Sequence, residues 1–299
     1  MTQLAEAEVA GVVAILAQQL GRFKFTRRLT NDVLLLLCGA RPAVLWDYYN
    51  VVGVENADER CVTRGRVLTL LHLEHVLAAL QVACPEAQKL RWLCIDNKSL
   101  FLVHADGLRQ KLELEVASEL AHLQFVAVDS TLPAPRVCTL DEHNHRRSTL
   151  ATFGTNQLLQ SLALSPAGTT LRVLSARVGS SLSANLIALH GWLLEYPVVY
   201  CFVHCCGDGD AGPASKGATC LRQQPLNVYS AMSSLRASQR HPHLFISFSC
   251  PSEFASLSCK HSIERWWQML QSRFRSVEVA RLWVAPELSV QLVSENIVL

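Results

Sequence analysis

Three aspartates each close a short apolar run: Asp47 in Val44-Leu45-Trp46-Asp47, Asp96 in Leu93-Cys94-Ile95-Asp96, and Asp129 in Val126-Ala127-Val128-Asp129. Runs of this kind read as buried strands. If the three strands lie parallel and adjacent, their carboxylates gather in the crevice beyond the strand ends, where open α/β sheets bind ligands. Carboxylate oxygens are hard ligands suited to Mg²⁺ or Mn²⁺, and such a site could hydrolyse a phosphoester as a nuclease or phosphatase does. Turn chemistry offers a plainer account, because aspartate commonly starts a turn or caps a helix after a strand. Asp96 in particular opens the turn-rich Asp96-Asn97-Lys98-Ser99, where a hairpin would set it apart from Asp47.

Asp47-Tyr48-Tyr49-Asn50-Val51 also resembles the first strand-end motif of metal-dependent nuclease folds of the PIN type. Other constellations carry less. Gly207, Gly209 and Gly212 match Gly-x-Gly-x-x-Gly, but the fingerprint needs a helix start to hold pyrophosphate, and Pro213, Lys216 and Gly217 follow instead. Residues 207–217 read as a flexible loop, and no dinucleotide or other cofactor is expected. Cys201, His204, Cys205, Cys206 and Cys220 form the densest group of soft ligands, with Cys259 and His261 a second pair, yet no Cys-x-x-Cys occurs anywhere. His72 and His75 share a helix face without a third ligand, and His190 reads as a core histidine. Gly179-Ser180-Ser181-Leu182-Ser183 departs from a nucleophile elbow at its last residue, so its serines serve better as helix caps. No catalytic residue is assigned.

The elements that must position these groups alternate. Helices are expected from Val9, Val12, Val13, Leu16 and Leu20, over 66–83, 108–120, 148–162 and 182–194, and from Ile263, Trp266, Trp267, Leu270 and Phe274. Strands are expected at 43–46, 92–95, 100–103, 125–128, 171–176, 198–203, 226–230 and 244–248, and in the tail at 277–284 and 288–293. The rhythm predicts an α/β fold, a mixed parallel and antiparallel sheet flanked by helices, in one compact domain. The stretch 129–147, with Pro133 and Pro135, is expected to be a loop and the best place for a boundary between sub-structures.

Composition narrows the class of function. Half of the 299 residues are hydrophobic and the net charge is +2, far from the basic footprint of a nucleic-acid binder. The acidic start at Glu6 and Glu8 does not suit a signal peptide, and no apolar stretch reaches the roughly 20 residues a membrane span needs. Eleven irregularly spaced cysteines in a chain of this size read as reduced, buried thiols, placing the protein in the cytoplasm or nucleus rather than outside the cell. It is expected to be monomeric.

The segment His190-Gly191-Trp192-Leu193-Leu194-Glu195-Tyr196-Pro197-Val198-Val199-Tyr200 resembles an uncharacterised animal protein family, that of the human chromosome 1 open reading frame 74 product. Pro225-Leu226-Asn227-Val228-Tyr229 and Phe245-Ile246-Ser247-Phe248-Ser249-Cys250-Pro251 are compatible with it. The resemblance covers the middle to late chain and brings no activity, cofactor or catalytic residue with it. With no completed catalytic set in view, the leading expectation is an intracellular protein acting through contacts with a protein partner. The alternative is the Mg²⁺ or Mn²⁺ dependent hydrolase of Asp47, Asp96 and Asp129.

Overall fold

Val12, Leu16 and Leu20 recur at helical spacing and are all buried, which gives the chain its first helix, α1 (Glu6–Leu20). It is followed by α2 (Thr26–Leu37), β1 (Ala43–Leu45), β2 (Val51–Val52), β3 (Leu68–Thr69), α3 (Leu70–Ala83), β4 (Leu90–Ile95) and β5 (Ser99–His104). Next come α4 (Ala105–Ala117), β6 (Gln124–Ala127), β7 (Arg136–Val137) and α5 (Leu140–Phe153), which continues through a π-helical stretch into α6 (Gln160–Ala163). The last part holds β8 (Val173–Ala176), α7 (Leu186–Leu193), β9 (Val198–Cys201), β10 (Leu226–Ser233) and β11 (His243–Pro251). After these come α8 (Ser252–Ala255), α9 (Lys260–Phe274), α10 (Val277–Leu282) and β12 (Glu287–Val293). This computed structural model describes residues 6–20, 26–47, 51–52, 68–96, 98–118, 120, 122–129, 131–163, 173–177, 186–202, 220–221, 224–238 and 241–294. The expected loop at 207–217, the serines at 180–183, and Tyr48, Tyr49, Asn50, His204, Cys205 and Cys206 lie outside them.

The chain forms two compact units, the first made of Met1–Leu114, Phe153–Arg177 and Arg275–Leu282, the second of Glu115–Thr152, Val178–Phe274 and Trp283–Leu299. In the first, the strand order is β1-β5-β4-β8, with β5 antiparallel to both of its neighbours and β4 parallel to β8. The expected hairpin is β4–β5, closed by Ile95 opposite Ser99, with Asp96 at φ 50 in the left-handed region that aspartate tolerates better than most residues. Trp46 meets Trp92 edge to face at 4.9 Å in the core. Val33 to Leu37 in α2 are buried on every side.

In the second unit a short mixed sheet, β7-β6-β9, pairs β6 parallel to β9. A separate antiparallel sheet, β11-β10-β12, carries α9, whose Trp266 ring stands edge-on to Phe248 of β11 at 5.0 Å. Mixed sheets and helices together make this an α/β protein.

Two expectations fail locally. The stretch 129–147 is not one loop, because α5 begins at Leu140, and it lies wholly within the second unit. Its start is a capping box: the Thr139 N–H donates to Glu142 Oε2 at 2.8 Å, and the Glu142 N–H donates back to Thr139 Oγ1 at 3.4 Å. Of the tail expected as strand over 277–284, Val277–Leu282 is helical rather than extended, since the Ser276 carbonyl accepts from the Ala280 N–H and Val279 turns inward, and only Trp283 makes a bridge, to Leu235.

Candidate functional site

The three aspartates do not share one place on a parallel sheet. Asp47 and Asp96 follow β1 and β4, which run in the same direction but are separated by β5, so their strand ends lie roughly 9 to 10 Å apart. Both sit at the end where β5 begins. Asp129, buried at 5% exposure after β6, belongs to the second unit. Among the described residues no three His, Cys, Asp or Glu side chains group as a metal site.

The stretch His190–Tyr200 joins helix to strand, and its polar residues hold that junction. Glu195, at φ 65 just past α7, forms a bidentate pair with Arg273 of α9, at 2.6 and 2.7 Å. Burial disfavours the charge of Arg273, yet the carboxylate of Glu195 holds its pKa above the ordinary value. The Trp192 indole N–H donates to Glu115 Oε2 at 2.5 Å. A Cβ on Gly191 would sit 3.5 Å from the Val199 methyls, ordinary contact rather than a forced close approach. Burial lowers the pKa of half-buried His190 to about 4, so it is a neutral histidine of the packing.

In the first unit, Glu86 and His104 are both buried. The His104 Nδ1 accepts from the Gly107 N–H at 3.0 Å, which places its proton on Nε2, facing Glu86 Oε1 at 3.3 Å. Lys89 donates to the same oxygen at 2.8 Å. Burial alone would raise the Glu86 carboxyl, but the His104 and Lys89 bonds outweigh it and bring its pKa to about 2. This network anchors the start of α4. His72 and His75 stand exposed on α3, a solvated stripe.

Cys138 and Cys201, buried in the second unit, bring their Sγ atoms to 3.4 Å. Their mutual hydrogen bond and burial push Cys201 up, while the same bond lowers Cys138. Cys138 follows β7 and Cys201 ends β9, on opposite sides of β6. Both are free thiols in the core of that sheet. Cys259 is buried and His261 exposed, so they do not act together as ligands.

These groups all have structural work. The exposed exception is β12. Its Leu288, Val290 and Leu292 stand opposite Ala231, Tyr229 and Asn227 of β10, which in turn face Ile246, Phe248 and Cys250 of β11. That face is core under α9, yet where it reaches β12 it opens to solvent, with Val290 52% and Leu292 63% exposed. Among the described residues β12 pairs only with β10, leaving its other edge of N–H and C=O groups unpaired. The strand has no Lys, no Pro and no bulge, and its single charge is Glu287 at one end. Sequence alternation finds this strand. Its edge position is set by pairings with distant residues and has no local signal.

A family model described as a domain of unknown function, DUF4504, matches residues 17–299, and the chain belongs to that family. No solved structure matches the chain. Among the described residues no helix is long and apolar enough to cross a membrane.

Proposed function

We propose that this member of the DUF4504 family works through protein contacts, with β12 as a docking strand for an extended segment of its partner. One observation carries the reading: a seven-residue edge in unbroken register that lines up Leu288, Val290 and Leu292 on one face, the last two exposed, and that has no lysine, proline or bulge and only the terminal charge of Glu287 to blunt it. Strand addition draws its affinity from main-chain hydrogen bonds and its selectivity from alternate side chains, here Leu288, Val290 and Leu292. A reducing compartment, cytoplasmic or nuclear, suits the eight described cysteines, all free and seven of them buried. The alternative, a Mg²⁺ or Mn²⁺ dependent phosphoester hydrolase, draws only on Asp47 and Asp96 at one sheet end, and the described residues supply no third ligand beside them.

The test is a partner recovered with the native chain, purified, and titrated onto it. Leu292→Lys weakens that complex by about tenfold or more, because a solvated ammonium replaces an apolar anchor on the docking face. A partner that binds native and variant chains equally refutes β12 as the docking strand.

A further inference from the structure

The docking strand is nearly its own complement. Read as Glu287-Leu288-Ser289-Val290-Gln291-Leu292-Val293, it places two apolar residues symmetrically about Val290. Antiparallel pairing of two copies centred on Val290 sets Leu288 against Leu292, Ser289 against Gln291 and Glu287 against Val293. All seven residues pair, every apolar residue of the Leu288 face meets another, and no like charges oppose. A slip of one residue would set Leu288 against Gln291 and put apolar against polar on both faces. Slips of two residues shorten the overlap. Resting on the docking role of β12, we infer that its occupant is β12 of a second copy of this chain, joined about a twofold axis through Val290.

The pairing makes one six-stranded antiparallel sheet from two three-stranded ones, in the order β11-β10-β12-β12-β10-β11. Its apolar face runs unbroken across the join, from Phe248 and Tyr229 through Val290 to the same residues of the other copy. Such an interface is isologous and closes, so it gives a dimer and not a filament. It replaces the monomer expected from sequence.

Charge exchange at the axis tests the register. Val290 is half exposed in the single chain, so Val290→Lys and Val290→Glu keep the fold, verified by far-UV circular dichroism and an unchanged unfolding midpoint. In sedimentation velocity the native chain runs at twice its 33.1 kDa mass. Each variant alone sets like charges face to face at the axis and self-associates about tenfold or more weakly than the native chain. Mixed in equal amounts, the two restore the dimer, because lysine then faces glutamate.

A native chain that stays monomeric into the high micromolar range overturns the dimer. So do variants that dimerise as well as the native chain, or a mixture that fails to recover. None of these results touches the docking role itself, which the partner titration with Leu292→Lys decides separately.

Discussion

Glu195 occupies a backbone conformation that favours glycine, and its pairing with Arg273 outweighs that strain. The Glu195 carboxylate is 4% exposed and its Arg273 partner 27% exposed. Removing one member of a buried pair costs about 3 to 5 kcal/mol, and the partial exposure of Arg273 puts this one near the lower figure, about 3 kcal/mol. Glu195→Ala loses the pair and keeps a Cβ at positive φ, so the full loss is expected. Glu195→Gly loses the pair but relieves about 1 kcal/mol of backbone strain, for a net loss near 2 kcal/mol. The background Arg273→Met changes the sign. There the carboxylate is buried without its cation, so Glu195→Gly removes both an unpaired charge and the strain and stabilises the chain by at least about 1 kcal/mol. Urea unfolding followed by tryptophan fluorescence measures all five proteins, native, Glu195→Ala, Glu195→Gly, Arg273→Met and the double variant, with a constant slope as the control that only stability has moved. If Glu195→Gly destabilises by the same amount in both backgrounds, the pair is not what holds the residue there.

Three further outcomes follow from the same structure. The Glu86 carboxyl, lowered from 4.5 to about 2, contributes stability that is complete above pH 5 and is lost as pH falls toward 2, at most about 3 kcal/mol. Acid titration of the unfolding free energy shows that slope in the native chain and loses most of it in Glu86→Gln; identical slopes reject the network. Millimolar Mg²⁺ or Mn²⁺ leaves the thermal midpoint of native and Asp47→Asn chains unchanged, whereas a rise in the native chain that the variant abolishes would restore the hydrolase alternative. Mild peroxide or diamide treatment followed by peptide mapping leaves Cys138 and Cys201 without a mutual disulfide, because both thiols are buried away from the oxidant, and a linked peptide would contradict that protection.

Local signals carried much of the fold. The turn residues Asp96 to Ser99 place the β4–β5 hairpin, and the spacing of Ile263, Trp266, Leu270 and Phe274 gives the buried face of α9. The start of α5 was also legible in Thr139-Leu140-Asp141-Glu142, but two prolines upstream and a run of charged residues pointed to a loop. Val277 to Val284 alternates like a strand, and the cap from Ser276 decides for helix. The candidate site was harder, because it depends on pairings between distant residues. Nothing near Asp129 says that it belongs to a different unit from Asp47 and Asp96. Nothing near Leu288 says that its strand is an edge, and Glu195 finds Arg273 78 residues away.

Amide hydrogen exchange over residues 287–293 tests most directly whether β12 is the working contact surface. Among the described residues no strand pairs with the outer edge of β12, which leaves its outward amides open to exchange in a single chain. The account predicts that protection confined to β12 rises with concentration in the native chain and stays low in Val290→Lys. Fast exchange of those amides in the native chain at every concentration, and with any recovered partner present, would contradict it.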